Sequence, residues 1–539
     1  MTARAGNVLF ITADQWRGDC LSALDHPCLR TPHLDALARE GVLFRRHYAQ
    51  ASPCGPSRAS LYTGLYLHNH RSVVNGTPID PRHTNVALEA RKAGYEPALF
   101  GYTDVSANSR QTHPNDPASR SNEGVLPGMV PVVWMMDHFM KEPYLPWIAE
   151  LQSRGYEITA AEVFRPKSDF PGAASRGVTF APARFTAADS ATAFLTDEAI
   201  NYLSVRRGEP WFVHLSYLSP HPPFIAPEPY HAEYDPADVP LPVRAATPAD
   251  EAKQHPYLDY FLHHQRGTGL TFGWNAKEHH LHISDRDLHQ LRATYYGMMS
   301  EVDAQIGRLV TFLQDTGCYD NTLIVFTSDH GEMLGDHWQL AKFSYFDQTF
   351  HVPLIVRDPR PEATPWHGRV IDAFTENVDV MPTIVDWLGL EVPSTCDGES
   401  LLGFCRSEES IPWRTAAHFA LDFRFFRDDD GGIIGLKADQ CAFAALRDER
   451  YKYVHFTALP PLFFDLGEDP MEFNNVAEVP AYRERMLEYA QKLLSWRMNH
   501  EDRALTHVRL TADGPVTRLD RRRWLFWGTF FHRRRSAAR

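Results

Sequence analysis

One repeated design constrains this chain more than any other feature. NVLFIT (Asn7–Thr12) and TLIVFT (Thr322–Thr327) are short, continuously apolar runs, and an aspartate, Asp14 or Asp329, follows each two residues on. A strand that is apolar on both faces has to be covered on both, as happens in a parallel sheet held between helix layers. The stretches between the two runs read as helices, among them TPHLDALAREG and a long segment from Asp285 to Thr316. In the long segment Leu288, Leu291, Tyr295, Val302, Ile306 and Leu313 recur near helical spacing. Ser284 with Asp287 resembles a capping box at its start, and Gly317 supplies the stop. Strands alternating with such helices predict the α/β class, a large, mostly parallel central sheet flanked by helices.

Beyond Ser400 the pattern changes to alternating strands, QCAFAALRD and RYKYVHFT, then a turn at Gly467–Pro470 and a closing helix. The expected organisation is therefore a catalytic domain over 1–400, a small antiparallel-sheet subdomain over 401–510, and a basic, aromatic arm over 511–539. The arm, ending RLDRRRWLFWGTFFHRRRSAAR, is too short to span a bilayer and reads as a subunit arm, a membrane-surface contact or a disordered tail. Two regions rich in Pro, His and Gly, roughly 104–189 and 224–284, show little periodicity and are expected to cover a site.

The net charge of -14 over 539 residues argues against general nucleic-acid binding, although a local positive pocket is compatible with it. Seven cysteines, odd in number and widely spaced, fit a reducing compartment better than a disulfide framework. No run reaches the roughly 18 to 20 apolar residues of a membrane span, and the first residues lack signal-peptide character. These readings predict a cytoplasmic protein with no nucleic-acid partner and no membrane span.

In an open α/β sheet, ligands collect outside the carboxyl ends of the strands, so the distant Asp14 and Asp329 can converge on one site. Taken singly, either reads as well as a helix or turn cap. With their neighbours Gln15 and His330 they make a donor set suited to a hard divalent cation such as Ca²⁺, Mg²⁺ or Mn²⁺. Cys54 opens a predicted helix, CGPSRASLYT, that Gly64 ends. A helix start favours an anion, and Arg58 one turn in adds a fixed positive fork. Among the histidines, His214 in WFVHLSYL reads as a core residue and His337 as a neighbour of the metal ligands. His68 and His70 read equally as structural or as pocket-lining.

CGPSRASLYTG resembles the sulfatase signature, Cys-x-Pro-Ser-Arg followed by Thr-Gly, and TPHLDALAREGVLF, YLSPHPPF, TSDHGEMLGDH and FFDLGEDPMEFNNVAE extend the likeness along the chain. The sequence is similar to the sulfatase branch of the alkaline phosphatase superfamily, and within it to the phosphonate monoester hydrolases and related arylsulfatases. The resemblance implies that Cys54 is oxidised after translation to formylglycine, whose hydrate is the nucleophile, by a transient maturation enzyme. It implies one metal ion (Ca, Mn or Mg, with Zn as a further option) on Asp14, Gln15, Asp329, His330 and the hydrated aldehyde derived from Cys54. By the same likeness Arg58 stabilises the diol, Lys342 and His221 contact the ester, His221 assists the leaving group, and Asn75 and Tyr102 line the pocket.

Gln15 and His330 stand where many sulfatases have Asp and Asn, and both resemble the phosphonate-hydrolase subgroup. Asp104 stands where that subgroup has a neutral threonine. A carboxylate there binds a cationic substrate group, repels extra anionic charge, or caps a turn. The expected function is formylglycine-dependent hydrolysis of sulfate monoesters, with side activity on phosphonate monoesters and phosphate diesters. The alternatives are a phosphonate monoester hydrolase with sulfatase side activity, and an inactive anion-binding scaffold. A homo-oligomer, dimer or tetramer, is expected from the arm and the family likeness.

Overall fold

The computed structural model describes residues 6–517 apart from 109–112, 114–123, 136–144, 168, 178, 207, 265–280, 282, 408–410, 425–433, 507 and 513. The expected C-terminal arm therefore lies almost wholly outside the described residues.

An eight-stranded sheet forms the centre. Its strands are β1 (Asn7–Ala13), β2 (Val42–Tyr48), β4 (Ala98–Gly101), β5 (Val130–Trp134), β6 (Phe212–Tyr217), β7 (Thr322–Thr327), β8 (Leu354–Arg357) and β9 (Arg369–Glu376), with β3 (Ala51–Ser52) elsewhere. The spatial order is β5-β4-β6-β1-β7-β8-β2-β9. Every neighbouring pair is parallel except the two that involve β8, so the sheet is mixed but mostly parallel, as the apolar runs predict.

The doubly apolar character of β1 follows from its place between β6 and β7. Alternate side chains enter separate cores: Leu9 and Ile11 pack with Val213, Leu215, Ile324 and Phe326 on one face. On the other, Val8 and Phe10 pack with Phe212, Leu323 and Val325. The long helix Asp285–Asp315 covers the first face with Leu288, Leu291, Tyr295, Val302, Ile306 and Leu313 all buried. Asp287 N–H donates to Ser284 Oγ at 3.2 Å at its start, and Gly317, at φ 71°, turns the chain away after its end.

A second sheet has the order β13-β12-β11-β10-β3, built from β10 (Ala416–Asp422), β11 (Ala442–Asp448), β12 (Tyr451–Phe456) and β13 (Leu462–Asp465). The helix Arg483–Asn499 closes it through Tyr489, Leu493 and Trp496. Its four C-terminal strands pair antiparallel, as expected. Its fifth strand comes from far upstream: Ala51 and Ser52 pair in parallel with Ala420 and Leu421. A two-residue strand carries no periodicity, so the sequence holds no sign of this pairing. Among the described residues, no helix is long and apolar enough to cross a membrane.

Candidate active site

Parallel register does the first part of the assembly. Ile11 pairs with Phe326 and Thr12 with Thr327, so chains leaving β1 and β7 in step deliver Asp14 and Asp329 side by side. Gln15 takes a left-handed φ of 66°, and its N–H donates to Asp329 Oδ1 at 3.1 Å. The His330 N–H donates to the same oxygen at 3.0 Å.

The second part is the helix Cys54–Thr63, buried throughout and delivered by β3. Ser52 Oγ donates to Lys342 O on one side of it, and Ser57 Oγ donates to Asp329 O on the other. Asn75 Oδ1 accepts from Gly55 N–H at 2.9 Å and satisfies one amide of the open first turn. These contacts aim Cys54 Sγ at a cluster: Lys342 Nζ at 2.9 Å, His330 Nε2 at 3.2 Å and Asp14 Oδ1 at 4.0 Å.

Arg58 lies beneath that cluster, fully buried. Its Nε donates to Asp329 Oδ2 at 2.9 Å and its Nη2 to Asp14 Oδ2 at 3.0 Å. Nη1 donates to Ser216 Oγ at 2.9 Å, and the guanidinium carbon lies 4.4 Å from the Tyr102 ring centroid. The fork thus ties the ends of β1, β6 and β7 together and neutralises the two carboxylates. Tyr102 Oη adds a hydrogen bond to Asp14 Oδ2. Gly101 lets this happen: at φ 105°, a Cβ there would sit 2.0 Å from Ser216 O.

Lys342 Nζ also donates to Gln15 Oε1 at 2.8 Å. Glu332, two residues after His330, accepts from Gln15 Nε2 and, through Oε1, from the N–H groups of Leu334 at 3.0 Å and Ala341 at 2.6 Å. It fixes which end of the Gln15 amide faces the cluster and shapes the loop that carries Lys342. Sequence reasoning passed over Glu332 and Ser216; the spacing of Glu332 inside SDHGEMLGD was a signal for the first, and the second had none.

Charge in the cluster is strongly biased. Burial works against ionisation of Asp14, but Lys342 and Arg58 overcome it and hold its carboxyl below the usual range. Burial likewise opposes charge on Lys342, yet Asp14 and Asp329 raise it and keep it protonated. Burial lowers His330 despite the nearby carboxylates, favouring neutral imidazole. Its Nδ1 lies 3.0 Å from Gly331 O, which leaves Nε2 as the lone-pair nitrogen toward Cys54. Burial first, then Asp14, raises the Cys54 thiol well above its ordinary value.

Ligand atoms of Asp14, Cys54, Asp329 and His330 all lie within 4.8 Å of one another. Donors about 2.0 to 2.6 Å from a common centre are at most about 5 Å apart, so the set fits one divalent cation.

Asp104, buried and at φ 50°, stands close enough for its charge to raise the Cys54 thiol. His221 is buried on the wall of an adjoining cavity that Tyr102 and Ser216 also line. Trp147 and Phe185 from the first irregular region and Ile225 from the second complete part of that wall, in keeping with their expected covering role. The other histidines are accounted for by packing. His214 stacks on Phe10 with centroids 4.5 Å apart and meets Tyr62 Oη at 3.0 Å. His337 Nδ1 lies 2.7 Å from Glu251 Oε1; His70 meets Ser60 Oγ at 3.0 Å, and His68 meets His500 O at 2.9 Å.

The family model described as Sulfatase matches residues 6–390. The chain belongs to the sulfatase family. A model described as N-sulphoglucosamine sulphohydrolase, C-terminal, matches residues 335–499 of this sulfatase-family protein. It is 43% identical over 522 residues to the multifunctional alkaline phosphatase superfamily protein PehA of Trinickia caryophylli, which covers 95% of this chain and 99% of that one. The structure of the phosphonate monoester hydrolase of Agrobacterium radiobacter superposes with a TM-score of 0.89 at 44% identity, over 96% of this chain and 100% of that one. The phosphonate monoester hydrolase SpPMH of Silicibacter pomeroyi gives 0.87 at 41% identity, over 95% and 99% of the two chains. The expected alkaline-phosphatase-like fold and the hydrolase class of the sulfatase family are therefore correct.

Proposed function

We propose that this protein is a formylglycine-dependent hydrolase of monoanionic esters that takes phosphonate monoesters and phosphate diesters ahead of sulfate monoesters. The observation that carries the reading is the convergence of Asp14, Asp329, His330 and Lys342 on the Cys54 sulfur. The order of substrates reverses the sequence expectation, which put sulfate first; it is supported by relatives at 41 to 44% identity named as phosphonate monoester hydrolases.

Asp14, Gln15, Asp329 and His330 would hold a divalent cation beside position 54, and formylglycine there would supply the oxygen nucleophile. The chain's own side chains do the rest. Arg58 pairs with both carboxylates and does not reach the ester, because its fork is spent on them. Lys342, held by Gln15, presents Nζ to the anionic group at phosphorus or sulfur. Tyr102 and Asn75 hold Asp14 and the first turn at Gly55 in place. His221 gives a proton to the departing alkoxide from the cavity side.

Charge supports a monoanion. A divalent cation balances Asp14 and Asp329, leaving Arg58 and Lys342 in excess, and Asp104 removes one of those two positive charges. Phosphonate monoesters, phosphate diesters and sulfate monoesters each bring one negative charge, whereas a phosphate monoester brings nearly two.

The test is kcat/KM for an aryl phosphonate and an aryl sulfate that share one leaving group, on one matured, metal-loaded sample. The expected result is a higher value for the phosphonate; a large preference for sulfate restores the sequence expectation, and no turnover of either overturns the reading. His221→Asn is expected to lower kcat/KM by about 10²- to 10⁴-fold for an alkyl leaving group and far less for a nitrophenolate, which needs no proton. Equal losses on both would remove His221 from that role.

The two domains, 1–400 and 401–510, serve this reading as one unit, since β3 joins the second sheet just before Cys54. All seven cysteines are free, which supports a cytoplasmic setting; assembly as a homo-oligomer is part of the same proposal.

A further inference from the structure

The cavity beside the Cys54 cluster has a volume of about 650 Å³ counting its mouth. Tyr102 and His221 form the wall it shares with the site. Its far side is an aromatic corner, Trp147 against Phe185 at 5.1 Å and against Phe164 at 6.1 Å between ring centroids. Set into this apolar lining is one acidic group, Glu301, only 2% exposed.

Among the described residues, Glu301 has hydrogen bonds but no cation. Ser190 Oγ donates to it, and what acts on its carboxyl is burial and the hydroxyls of Ser190 and Thr192. Burial lifts it to about 7, the behaviour of a carboxyl short of positive company. The helix that carries Glu301 also borders the reaction centre. Tyr295 Oη donates to Gln15 O at 2.6 Å, and Glu301 follows six residues later, about 9 Å further along the helix axis.

We propose that this cavity receives the alcohol half of the ester and selects alcohols that carry an ammonium group, held between the aromatic corner and Glu301. The proposal rests on the hydrolase reading above. Aromatic faces and a buried carboxylate both attract a cation, and both gain strength where water is excluded. The apolar walls fit the methylene or methyl groups of such an alcohol, and the ammonium supplies the charge that Glu301 lacks. A purely structural Glu301, anchoring the helix Ala191–Ser204 through its N-cap Ser190, has no reason to distinguish a charged alcohol from a neutral one.

The experiment compares phenylphosphonate monoesters of choline and of its uncharged carbon isostere, 3,3-dimethylbutanol, on the matured protein and on Glu301→Gln. Intrinsic leaving-group differences cancel when the choline-to-isostere ratio of kcat/KM is compared between the two proteins. The expected result is a ratio at least about 10-fold higher in the unaltered protein; an equal ratio overturns the proposal. Where Glu301→Gln does not fold, tetramethylammonium chloride decides on the unaltered protein. Competitive inhibition of isostere hydrolysis beyond that of equal sodium chloride supports the proposal, and its absence overturns it. Isostere hydrolysis itself reports the underlying reaction, so its loss in the unaltered protein counts against the hydrolase reading instead.

Discussion

Cys54→Ala is expected to lower kcat/KM for an aryl phosphonate by on the order of 10⁶-fold, the scale on which removal of a nucleophile registers in other hydrolases. Nothing else in the cluster can take its place. Lys342 is held protonated, the His330 ring nitrogens face Gly331 O and the cluster, and Asp14 and Asp329 are committed to Arg58. Intact-protein mass spectrometry of the parent preparation gives the fraction carrying formylglycine, and the rate of partly matured samples should scale with that fraction. A Cys54→Ala protein that keeps more than about 1% of the parent rate contradicts the mechanism. So does a parent rate that is indifferent to maturation.

Arg58→Ala should be the most damaging single change to stability. Among the described residues, the guanidinium is the only side chain within ion-pair distance of both Asp14 and Asp329 apart from His330, whose Nε2 lies at 3.8 and 3.7 Å from them. Its loss leaves two buried carboxylates facing one another and takes the cation off the Tyr102 ring face. Breaking one buried pair costs about 3 to 5 kcal/mol, and this change breaks two. The expected result is an unfolding free energy lower by at least that amount, read from chemical denaturation, with activity lost in parallel. Arg58→Lys keeps the charge but cannot span both carboxylates, so it should recover only part of the loss. A stable, active Arg58→Ala protein would show that the cation site alone holds the two strand ends together.

Much of this site was legible because its parts sit where strands end. Asp14 and Asp329 follow runs whose apolar character on both faces places them in a parallel sheet, and parallel strands bring their carboxyl ends to one side. The start of the helix at Cys54 was readable from CGPSR, and its end from Gly64. The direction of Arg58 was not readable, since a guanidinium one turn into a helix serves an incoming anion or resident carboxylates equally well. Glu301 was invisible for another reason: it lies on a long amphipathic helix as one acid among several, and only the folding of Trp147, Phe164 and Phe185 over it makes it distinctive. The second sheet was legible as hairpins but not in its edge strand, because pairing between Ala51 and Ala420 leaves no local trace.

That edge strand also sets a timetable. During synthesis Ala51 and Ser52 emerge long before Ala420 and Leu421, so for most of translation the segment leading to Cys54 has no strand to join. In the folded protein Cys54 is 6% exposed and enclosed by Lys342, His330 and Asp14. Under the proposed function, an enzyme that oxidises Cys54 has to reach it before Lys342, His330 and Asp14 close around it. The yield of active protein is then a race between maturation and folding, and slowing translation downstream of Cys54 should raise it.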